Sequence, residues 1–81
     1  MSESLPIKVV HTFNSMGSTS VEAFHDFITL LPQGRYLFEN ATLRECYVTD
    51  IDEGFRQHLI MRWKFHNLPA ETFYVLKWSG Q

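Results

Sequence analysis

Thr19-Ser20-Val21-Glu22-Ala23-Phe24-His25-Asp26-Phe27-Ile28-Thr29-Leu30-Leu31-Pro32-Gln33-Gly34 is the stretch on which the fold turns. Thr19 followed three residues later by Glu22 is a capping-box signature for a helix start. Val21, Phe24, Ile28 and Leu31 then recur at helical spacing, so residues 19–31 are expected to be helical and to bury that face. Glu22, Asp26 and Thr29 fall on the opposite side, with His25 at the border. Ala23, Phe27 and Leu30 widen the apolar arc beyond the usual surface-helix stripe, which implies more than one packing neighbour. Pro32 and Gly34 are expected to end the helix.

Outward from this helix the chain reads as strands. Residues 7–13 carry Val9, Val10 and Phe13 in a β-favouring run. Residues 35–38 and 42–49 are either two strands around Asn40 or one long strand with a bulge. Residues 50–54 form a polar connection, with Gly54 suited to a positive φ. Residues 57–66 alternate, Leu59, Met61, Trp63 and Phe65 on one face, His58, Ile60, Arg62, Lys64 and His66 on the other. Pro69 marks a turn, and residues 72–78 are expected to close the domain as a strand apolar on both faces. The expected fold is α+β: a single amphipathic helix on one face of a mostly antiparallel four- to five-stranded sheet, in the order β-α-β-β-β with a further strand optional.

Length and composition bound the function. The 81 residues make one small domain, 1–81, with residues 1–6 as a frayed tail. An apolar fraction of 44% and an aromatic fraction of 15% specify a hydrophobic core rather than disorder. Cys46 is the only cysteine, which excludes an intrachain disulfide and a CxxC zinc ribbon. No signal-like segment and no run long enough for a membrane span is visible, so a soluble cytoplasmic protein is expected, without membrane attachment. With a net charge of −2 and seven Lys and Arg, nucleic acid is disfavoured as a partner, a small local basic patch excepted.

Three groups of residues are candidate sites. Ser15, Gly17, Ser18, Thr19 and Ser20 lie between a strand and a helix, the layout in which backbone N–H groups hold an anion. This loop resembles the phosphate loop of flavodoxins, matching at Gly17 and Thr19 and departing at Met16, which implies an anionic ligand or nucleotide. The chain is too short for that family's five-stranded parallel sheet, and a plain capped helix start explains the same residues. The four histidines lack metal-binding spacing: His58 and His66 share a face but lie roughly 27 Å apart along a strand. Cys46 has no partner motif, the Asp50–Glu53 acids lack EF-hand spacing, and no serine sits in a triad context. No catalytic residue, metal or cofactor is therefore expected.

The third candidate is a surface. Paired as a hairpin, the last two strands would bring Ile60, Arg62, Tyr74, Leu76 and Trp78 onto the sheet face away from the helix. Trp, Tyr and Arg are enriched at interaction hot spots. In the inverted register the same set forms the core. The expected function is a non-catalytic binding or regulatory protein acting through this aromatic sheet face, as a homodimer or against a larger protein. Its size and mild acidity resemble phage-encoded inhibitors of host proteins, which implies an inhibitor or adaptor. The alternatives are an anion-binding module at residues 15–20 and single-stranded nucleic-acid binding on Tyr74, Trp78 and Arg62.

Overall fold

A computed structural model describes residues 5–78; of the tail expected at 1–6, residues 1–4 lie outside the described residues. The element order is β1 (Ile7–Asn14), α1 (Ser20–Leu30), α2 (Pro32–Asn40), β2 (Ala41–Val48), β3 (Arg56–Phe65) and α3 (Leu68–Trp78). The strands form one antiparallel sheet in the order β1-β3-β2. Among the described residues, three helices and three strands replace the single helix and four- to five-stranded sheet expected from the sequence.

Two strand assignments are corrected. Residues 35–38 belong to α2, because Pro32 opens a helix instead of closing the chain's options. With Leu31 as an extended N-cap, Pro32 occupies the first turn, where its missing N–H costs nothing. Gly34 and Leu37 then face inward at helical spacing, and Leu37 is fully buried. A bulge does occur, inside β2 between Leu43 and Glu45.

Residues 72–78 belong to α3. The Asn67 side chain accepts the Ala70 N–H at 2.9 Å, an N-cap bond, and Pro69 fits the first turn that follows. Ala70, Tyr74 and Trp78 recur every four residues and face the core, Ala70 and Tyr74 buried and Trp78 half-buried. An apolar segment that satisfies both faces of a strand also satisfies one broad stripe of a helix. The cap decides between them.

All three helices pack on one face of the sheet. Val9 and Phe13 of β1, Leu59, Met61, Trp63 and Phe65 of β3, and Ala41 of β2 meet Ala23, Phe27, Leu37, Ala70 and Tyr74 in one core. Phe24 stacks near Trp63 at 6.4 Å, and Phe65 meets Tyr74 at 5.4 Å between ring centres. The Trp63 indole N–H is buried without an acceptor among the described residues, a cost of roughly 1–3 kcal/mol.

Helix α1 carries its expected capping box: Glu22 N–H reaches Thr19 Oγ1 at 3.1 Å, and Thr19 N–H reaches Glu22 Oε1 at 2.8 Å. Its buried face is rotated by one residue. Ala23 and Phe27 are buried, Phe24 and Ile28 are half-buried, and Val21 and Leu31 are exposed. The turn before β3 also differs in detail. Asp52 accepts the N–H groups of Gly54 and Arg56, and the left-handed conformation falls on Phe55 (φ 61°) instead of Gly54.

Candidate functional site

A concave apolar surface lies between α1 and β2. Ser20, Val21 and Phe24 form one wall, Leu43, Cys46, Tyr47 and Val48 the other, and Leu59 of β3 also lines it. The groove encloses about 330 Å³, near the lower bound of small-ligand sites. Its shape follows from two local features. The β2 bulge absorbs Arg44, so Leu43, Cys46 and Val48 stay in register with Trp63, Met61 and Leu59 on the helix side. The rotation of α1 turns Phe27 inward and leaves Phe24 and Val21 to line the wall. Val21 is 77% exposed.

Strand β2 is a sheet edge, paired with β3 on one side only. The outward N–H and C=O groups of an edge strand are a template for a further strand. Apolar groove and strand edge therefore lie side by side. Cys46 is exposed here, and partial desolvation pushes its thiol pKa up. A thiol held protonated is a weak nucleophile.

The structure separates the residues expected to form the aromatic sheet face. Ile60 and Arg62 do lie on the sheet face away from the helices, Ile60 between Val10 and Tyr47 and Arg62 between Lys8 and Glu45. Tyr74, Leu76 and Trp78 are on α3. Tyr74 is buried, and Gln33 donates a hydrogen bond to its hydroxyl. Its pKa is raised by burial, against the lowering effect of that bond. Trp78 packs on Tyr36 and Tyr74 at 5.4 and 5.2 Å. Leu76 is 79% exposed.

In the loop before α1, the backbone donors are already engaged. Ser15 N–H and Oγ both donate to the Phe55 carbonyl at 2.7 Å, and Met16 N–H reaches Asn14 Oδ1 at 2.8 Å. Gly17 and Ser18 donate to the Asn14 carbonyl. With Thr19 and Glu22 closed into the capping box, the Glu22 carboxylate stands at the helix start. Ser20 lines the apolar groove instead.

The histidines are dispersed: His58 bonds Thr12 at 2.8 Å, His66 bonds Thr42 at 3.0 Å, and His11 packs on Phe27 at 5.2 Å. No group of three or more His, Cys, Asp or Glu side chains suited to a metal occurs among the described residues. No helix among the described residues is long and apolar enough to cross a membrane.

Sequence reasoning missed the groove. The sequence places the residues of its β2 wall in the strand segment 42–49, and their partners Val21 and Phe24 on the buried face of the helix. No family model, curated protein or solved structure matches the chain.

Proposed function

We propose that this chain is a non-catalytic binding protein of the cytoplasm that takes an extended segment of a partner protein along β2. The observation that carries the reading is the α1–β2 groove beside a strand edge. In such recognition, main-chain hydrogen bonds supply affinity, and alternate side chains of the added strand enter neighbouring pockets. Val21, Phe24, Leu43, Val48 and Leu59 offer an apolar receptacle for those side chains. The lining supports recognition rather than acid–base chemistry, since its polar side chains are those of Ser20, Cys46 and Tyr47. A lone free thiol fits a reducing compartment.

Peptide display on the immobilised protein tests the reading. Selected peptides should show apolar residues at alternate positions and should lose binding to Val21→Asp and Val48→Asp, both at exposed positions. Peptides that bind these variants as well as wild type would place recognition elsewhere. Sedimentation of the unliganded protein distinguishes a second copy of the chain as occupant: a dimer dispersed by the same substitutions replaces the partner-protein reading.

A further inference from the structure

We infer that the sheet face opposite the helices is a track for a single-stranded nucleic acid, a surface that shares only Tyr47 with the groove. Arg56, His58, Ile60, Arg62 and Lys64 alternate along the outward side of the central strand β3, and exposed His66 follows. Lys8 of β1 stands opposite Arg62. This face holds four of the chain's seven Lys and Arg, against two of its nine acids, in a protein of net charge −2. Those two acids are Glu45 of β2, 3.0 Å from Arg62, and Asp52 of the loop entering β3, 3.3 Å from Arg56. The charges are therefore segregated: the rest of the sequence is acidic and this face is basic.

The geometry points to a linear polyanion. Outward side chains on β3 repeat about every 6.6 Å and the row from Arg56 to His66 runs roughly 33 Å, a straight track such as an extended phosphate backbone follows. Thr12 and Thr42 flank it with hydroxyls, and Tyr47, 48% exposed, offers a ring beside Ile60 on which a base can stack. An acidic amphipathic helix fits less well. The face has an apolar row, Val10–Ile60–Tyr47, whose middle residue is only 7% exposed and so offers a helix little apolar surface to bury.

Fluorescence anisotropy with labelled dT12 and U12 tests this on the full chain. Binding at 50 mM salt should weaken about 20-fold by 200 mM, as expected for about three phosphates on a single strand. Lys8→Gln/Arg62→Gln should weaken it at least tenfold, and Arg35→Gln, on α2, should leave it unchanged. If the double variant loses its circular dichroism, Glu45→Gln is read instead: freeing Arg62 from its carboxylate should tighten binding several-fold. No binding at 50 mM salt overturns the inference, as does salt-insensitive binding or unchanged affinity in the folded variants. Equal competition by a polyglutamate peptide also overturns it, in favour of an acidic protein partner.

Discussion

Gly34 of α2 lies directly against the backbone carbonyl of Phe27 in α1. A Cβ built on Gly34 would overlap the Phe27 carbonyl oxygen and sit 2.9 Å from its ring Cδ2. Backbone-to-backbone approach of this kind requires glycine. It brings the two helices together tightly enough to set which side of α1 faces the sheet. Gly34→Ala is expected to destabilise the fold by about 1–3 kcal/mol, the usual range for overpacking, despite alanine's better helix propensity. Chemical denaturation of the purified variant checks this; equal or greater stability would mean that the helices have room to separate.

The rotation of α1 makes a paired prediction. Phe27→Ala should cost about 3–5 kcal/mol, the range for a fully buried phenylalanine. Val21→Ala, at an exposed site, should stay within about 0.5 kcal/mol. Urea titrations that reversed this order would restore the face read from the sequence.

Several local patterns were legible, the overall architecture was not, and the errors have physical causes. The strand at Ile7–Asn14, the alternation of β3 and the capping box are local patterns, and they survive in the structure. Pro32 and Pro69 were read as breakers, but proline is compatible with a helix's first turn, and only the N-cap residue upstream of it tells the two roles apart. At residue 67 that signal was present, since asparagine is a favoured N-cap. At residue 31 it was absent, because Leu31 caps without a side-chain hydrogen bond. The orientation of α1 was not legible. Seven apolar residues spread over a wide arc, and the tertiary contact at Gly34 selects among them. The groove was hidden for the same reason.

Asn67→Ala tests the start of α3. Losing the side-chain cap on Ala70 N–H should cost about 1 kcal/mol and increase amide exchange in the first turn of α3, whereas Asn67→Asp should preserve both. An unchanged exchange profile in the alanine variant would show that the cap does not hold this end.

His11 gives the fold a pH dependence. Burial lowers its pKa below 6.5, a shift that the Asp26 charge partly opposes. The folded state thus binds this proton less readily than the unfolded chain. The contribution is absent above about pH 6.5, and stability falls as pH drops below that value toward the folded-state pKa. Thermal melts from pH 7.5 to 5 should show this fall, and His11→Phe should flatten it. An equal slope in the variant would assign the dependence to other groups.

The central claim is that β2 accepts an added strand, and amide hydrogen exchange tests it most directly. A display-selected peptide should slow exchange at alternate residues of Ala41–Val48, where N–H groups point away from β3, and leave α3 unchanged. Unchanged exchange throughout β2 in a saturated complex, with protection on α3 or the open sheet face, would contradict the account.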